Sequence, residues 1–187
     1  MSDEDSGKTD KGAHLGAGRM KWMLDNMKGR NLWNELFEMR DEQREDLKKA
    51  VWLVKGDQLP QENNKQGLMQ WYLHPLLKGP CMNTLTIFVQ EIPPGSRSGR
   101  MQHPGNQVIF VWEGQGYTTL DGQKHYWAKN DVVQIPLKPK GNVVQHFNTD
   151  PDNPVKLICC EPNAFQSAWV DRGSGFDQLE VSPDYKG

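Results

Sequence analysis

The sequence predicts a mainly β fold, an antiparallel barrel or sandwich, with a helical extension on its N-terminal side. Three observations predict it. Short stretches rich in Val, Ile, Phe, Trp, Tyr and Thr recur from Leu68 onward, turn residues rather than helical segments separate them, and the chain before them shows helical spacing. Many short strands with no helices between them can bury their apolar faces only by packing sheet on sheet or by closing into a barrel.

Residues 1–18 combine Asp, Glu, Ser and Lys with four glycines and almost no apolar content. Such a stretch cannot offset its own ordering entropy, so a disordered tail is expected. Residues 19–60 read as a helical extension. Trp22, Met23 and Met27 are helix-spaced, Gly29 breaks the pattern, and a longer segment starts near Asn31. In that segment Leu32, Trp33, Leu36, Phe37, Leu47, Ala50, Val51 and Val54 recur at three- and four-residue intervals, with acidic and basic residues between them. The spacing predicts an amphipathic helix, kinked between Met39 and Leu47. Gly56, Pro60 and the polar run 61–66 end it.

The barrel is expected over 61–171, with strands at 68–73, 84–92, 107–112, 117–120, 125–127, 132–135, 143–147 and 155–160. Asp121-Gly122 is the clearest hairpin turn, because a type I′ turn needs positive φ at both central positions. Residues 172–187 are rich in Gly and acid and show no period, so a surface wrap or frayed tail is expected there.

A chain of 187 residues suits one domain plus an arm. With a net charge of -2, a pI near 6.2 and no basic run longer than Lys48-Lys49, it lacks the footprint of a nucleic-acid binder. No apolar run approaches the ~20 residues of a membrane span. A cytoplasmic protein acting on a small-molecule substrate is therefore expected. Cys81, Cys159 and Cys160 form no metal-spaced pair, and an odd count argues against a disulfide framework; reduced thiols are the simpler reading.

The residues that carry chemistry lie between Gly95 and Asn148. Gly95, then five residues, reaches Met101-Gln102-His103; three more reach Gln107, and six more reach Gly114. This spacing resembles the first cupin motif, which runs glycine, five residues, His-x-His, three or four residues, Glu, six residues, glycine. The second cupin motif is matched by Asn130 at its glycine position, Pro136, and Asn148 at its end once about three residues are inserted around Lys138–Gly141. The resemblance covers about 84–161, and the wording Gly116-Tyr117-Thr118-Thr119 with Gln145-His146-Phe147-Asn148 is similar to the gentisate-dioxygenase-like branch. It implies a cupin-type double-stranded β-helix, or jelly roll, and commonly a homodimer.

The departures from the pattern are as informative as the match. Of the four ligand positions the sequence keeps His103, has Met101 for a His and Gln107 for the Glu, and has Val144 at the last His, with His146 two residues on along the same strand face. His103, Gln107 and His146 could hold a divalent metal, with Fe(II) first and Mn, Ni or Zn as alternatives, while Met101 and Val144 line the pocket. Without metal, His103 and His146 would be acid–base or hydrogen-bonding groups, which suits their near-neutral titration. His14, His74 and His125 read as surface or structural residues, and Glu113 as a solvated turn residue. Trp112 should point away from the barrel interior.

Two classes of function follow. One is a metal-dependent cupin enzyme acting on an aromatic or oxygenated compound, with ring or carbon–carbon cleavage as the leading reaction and non-oxidative lyase, isomerase or decarboxylase chemistry beside it. The other is a non-catalytic ligand-binding cupin.

Overall fold

A computed structural model describes residues 11–77, 79, 80 and 82–187. Residues 1–10 and Cys81, for which a disordered tail and a reduced thiol were expected, lie outside the described residues. The chain divides into two compact units, one ending at Lys49 and one formed by Ala50–Gly187.

The first unit holds two helices, α1 (Lys11–Met27) and α2 (Leu32–Lys48), separated at Gly29, whose φ is +72°. Residues 11–18 of the expected tail are helical, because α1 starts at Lys11 rather than beyond Gly18. A nucleated helix adds one bond per residue, so the Arg19–Met27 segment can carry its weaker neighbours. Asn31 caps α2, its side chain accepting from the Asn34 backbone N–H. The helix runs unbroken through the Met39–Leu47 stretch where a kink is expected. The polar stretch after Met39 consists of good helix formers, and the i,i+3 pairs Arg44–Asp41 and Lys48–Glu45 lie on one continuous helix.

The helix also stops earlier than its apolar spacing predicts, at Lys48 rather than near Val54. Beyond it the backbone bonds within the second unit: the Val51 N–H donates to Gly79 O at 2.7 Å, and Leu59 O accepts from the Gln70 side chain. Tertiary hydrogen bonds win here over helical periodicity.

The second unit is two antiparallel sheets. The six-stranded one has the order β1-β2-β3-β10-β5-β8, from Glu62–Asn64, Gly67–Leu73, Leu85–Ile92, Val155–Pro162, Gln107–Glu113 and Val132–Ile135. The five-stranded one has the order β11-β4-β9-β6-β7, from Asp177–Glu180, Arg100–His103, Asn142–Asn148, Gln115–Leu120 and Gln123–Ala128. All eight strands read from sequence are present; β1, β4 and β11 are additional. Those three are short and lack the β-branched and aromatic enrichment that marks the others. Asp121 and Gly122 both have positive φ and close the β6–β7 hairpin.

Period-two alternation sorts each strand. Ile109 and Val111 of β5 are fully buried while Val108 and Trp112 face outward, and Val155, Leu157 and Cys159 of β10 are buried with Cys160 on the other face. With Met69, Phe88, Ile92, Trp127, Ile135 and Val144 these residues form one core between the sheets. Among the described residues no helix is long and apolar enough to cross a membrane.

Residues 172–187, expected as a surface wrap or frayed tail, are bonded onto the barrel. β11 pairs with β4, Ser96 Oγ donates to Asp184 at 2.6 Å, and Asn63 Nδ2 donates to Asp184 O at 2.9 Å. Backbone pairing and side-chain pins order this stretch without any apolar period, which is why composition alone misses it.

Candidate active site

The strands deliver the singled-out side chains to one place. β4 pairs with β9 so that Met101 faces Val144, and β9 pairs with β6 so that His146 faces Thr118. β5 brings Gln107 from the other sheet, and β10 brings Glu161. Met101, His103, Gln107, Val144, His146 and Glu161 all line a cavity of about 380 Å³ between the sheets. Met69, Trp71, Phe88 and Phe176 complete its apolar wall. A smaller chamber of about 210 Å³ shares Trp71, His103, Glu161 and Phe176 with it. His125 is exposed on β7, outside the cavity, and His74 packs edge-on against Trp71 at 4.7 Å, lining only the smaller chamber.

Glu161 is the residue that sequence reading missed. It follows Cys159 by two positions, so strand parity alone turns it inward, but the strand was expected to end at Cys160. Its Oε2 lies 3.3 Å from His103 Nε2, with both side chains largely buried, and Arg172 Nη2 approaches the same oxygen at 3.4 Å.

Hydrogen bonds fix both imidazoles. The Gly105 N–H donates to His103 Nδ1 at 2.9 Å, so the neutral ring carries its proton on Nε2, toward Glu161. On the other ring, His146 Nδ1 lies 2.8 Å from Thr118 Oγ1, which also accepts the Trp127 indole N–H at 2.9 Å. With the indole on one lone pair, the hydroxyl keeps both its own proton and a second lone pair, so it serves a His146 ring that either accepts or donates at Nδ1. Gln107 is buried, and its amide makes no hydrogen bond to another described residue, so it is a free polar handle on the cavity wall.

Burial, and secondarily the nearby His103, depress His146 from the ordinary 6.5 to about 4. It is neutral at pH 7. Its unfolded form binds a proton that the folded form refuses, so this contribution to stability is complete above pH 6.5 and is lost as pH falls toward 4. The expected loss across that window is on the order of 3 kcal/mol. Urea unfolding at pH 7 and pH 4.5 measures it, and His146→Asn should flatten the difference.

The family model described as a cupin domain matches residues 88–161, from Phe88 of β3 through Glu161 of β10. Residues 88–161 of the barrel are thus similar to a cupin domain. The chain is 29% identical over 96 residues to a 5-aminosalicylate 1,2-dioxygenase of Comamonas sp, and 30% identical over 70 residues to gentisate 1,2 dioxygenase 1 of Aquipseudomonas alcaligenes. These matches cover 51% and 37% of this chain but span only 25% and 20% of those proteins. Among solved structures, the polyketide cyclase RemF from Streptomyces resistomycificus has the same fold, with a TM-score of 0.54 at 13% identity, over 72% of this chain and 89% of that one.

The cupin pattern implies a metal, so the donor set matters. A cation needs ring lone pairs, and at His103 the Nδ1 lone pair is spent on the Gly105 N–H, which leaves hydrogen on Nε2 of the neutral ring. Among the described residues no three His, Cys, Asp or Glu stand close enough together to hold a metal ion. His103, Gln107 and His146 share one cavity, in which the His103 ring as bonded presents an N–H rather than a lone pair. That N–H fits an electron-rich oxygen.

Proposed function

We propose that the protein is an enzyme that binds an oxygenated small molecule with a flat apolar body and moves a proton on it without net oxidation. The observation that carries this reading is the buried Glu161–His103 pair in the cavity wall. A substrate carbonyl oxygen accepts a hydrogen bond from His103 Nε2–H, and the Glu161 carboxylate, 3.3 Å from that nitrogen, stands beside it as a base. The carboxylate then accepts a proton from the adjacent carbon, and the electron pair of the C–H bond moves onto the oxygen that His103 stabilises. Reprotonation at another carbon gives an isomerase, and loss of a β-substituent gives a lyase. The Trp71, Phe88 and Phe176 walls exclude water and strengthen both hydrogen bonds.

The test is hydrogen exchange from D₂O into a panel of enolisable aryl and alkyl ketones, followed by NMR. Exchange should be catalysed by the wild-type chain and should fall by about 10²- to 10⁴-fold in Glu161→Gln. Failure of every ketone to exchange, or an unaffected Glu161→Gln, overturns the reading.

A second reading, a mononuclear metal-dependent ring-cleaving dioxygenase, is supported by the similarity to the Comamonas and Aquipseudomonas enzymes. It requires the His103 ring to exchange its Nδ1 partner, and the His146 ring to donate from Nδ1 to Thr118 Oγ1, so that Nε2 lone pairs face the cavity. Protein prepared in iron-, manganese-, nickel- or zinc-supplemented medium discriminates between the two. The first reading expects metal well below one equivalent and no oxygen uptake with gentisate or 5-aminosalicylate. Stoichiometric metal that disappears in both His103→Ala and His146→Ala, together with oxygen uptake, would establish the second.

A further inference from the structure

Next to the acid–base pair stands a residue that the proton transfer does not use. The Arg172 side chain is only 12% exposed, and its guanidinium donates from Nη1 to Gly105 O at 2.6 Å and from Nη2 to Pro162 O at 3.1 Å and Glu161 Oε2 at 3.4 Å. Gly105 is thereby held from both sides: its N–H is bonded to His103 Nδ1 and its carbonyl to Arg172. Gly105 has φ +90°, a conformation that a side chain would oppose, so it is well suited to present both backbone groups in these directions.

We infer that Arg172 is a positioning residue that sets both members of the pair at once, aiming the Glu161 carboxylate directly and holding His103 as its Nε2–H tautomer through Gly105. The inference rests on the Glu161–His103 reading of the site but is separable from it. A simpler role would be charge compensation alone, with Arg172 only neutralising Glu161. The two roles differ in what they demand of the side chain. Compensation needs a positive charge, which lysine also supplies, whereas reaching a carboxylate and two carbonyls together needs the planar fork of a guanidinium.

The experiment reads the His103 ring nitrogens by ¹⁵N NMR in the full chain at pH 7.5. In the wild type Nδ1 should resonate as an acceptor-type nitrogen and Nε2 as an N–H. In Arg172→Lys and Arg172→Gln both signals should move to intermediate positions, the mark of mixed tautomers, while the His146 ring stays put because Thr118 holds it. Glu161→Gln supplies a variant that leaves Arg172 in place. Since Gly105 holds the ring, His103 should remain Nε2–H in it, and a mixed ring there overturns the inference. An unchanged His103 ring in Arg172→Lys and Arg172→Gln overturns the positioning role and leaves the pair intact. A wild-type ring with its proton on Nδ1 overturns the pair itself.

Discussion

Gly105→Ala is expected to lower the stability of the barrel by at least about 3 kcal/mol and to release His103 from its fixed tautomer. An alanine Cβ at this position would lie 1.9 Å from the carbonyl oxygen of Pro136 and 2.8 Å from Asn142 Nδ2, in a backbone with φ +90°. No rotamer change relieves a clash with a backbone oxygen, so the 103–106 turn must shift and its N–H must leave His103 Nδ1. Gly122→Ala is the control. Its φ is +85°, but nothing lies within 4 Å of the added atom, so only the conformational penalty of about 1 to 2 kcal/mol is expected. Urea unfolding of the two variants separates strain from steric overlap; equal effects would show that packing around Gly105 does not matter.

Deleting residues 172–187 is expected to cost on the order of 5 kcal/mol and to abolish ligand binding in the main cavity. The deletion removes the Arg172 fork, the β11–β4 ladder and the Ser96 and Asn63 bonds to Asp184. It also removes Phe176 and Gln178 from the cavity wall. Each exchanged hydrogen bond contributes about 1 kcal/mol, and the carbonyls left behind at Gly105 and Pro162 lose a charged donor. Urea unfolding and ligand titration of the truncated chain check this. A deletion that shifts the urea midpoint no more than a surface substitution would return the segment to the status of a tail.

The contrast between these two sites explains what the sequence made legible. Strands of the six- and five-stranded sheets whose faces alternate, such as Gln107–Glu113 and Val155–Pro162, announce themselves because burial on one face imposes a period of two. The cupin frame could be read through Gly95, His103, Gln107 and Gly114 because those positions follow one another along a single strand–turn–strand stretch. His146 could be found by the same parity. Glu161 was missed by one residue at a strand end, where boundaries are set by neighbouring strands rather than by composition.

Arg172 and Asp184 were illegible for a different reason. Their order comes from bonds to Gly105, Glu161 and Ser96, residues distant in sequence, and no local period encodes a partner that far away. The expected metal set turns on a finer point. Residue types and strand faces predicted convergence correctly, but which nitrogen of each ring faces the cavity depends on the Gly105 amide and the Thr118 hydroxyl.

Arg172, Phe176 and Gln178 all follow the last strand of the six-stranded sheet in the chain. A single proteolytic cut between Pro162 and Arg172 would therefore leave every strand of that sheet on one fragment, while placing part of the chamber wall and the guanidinium partner of Gly105 on the other.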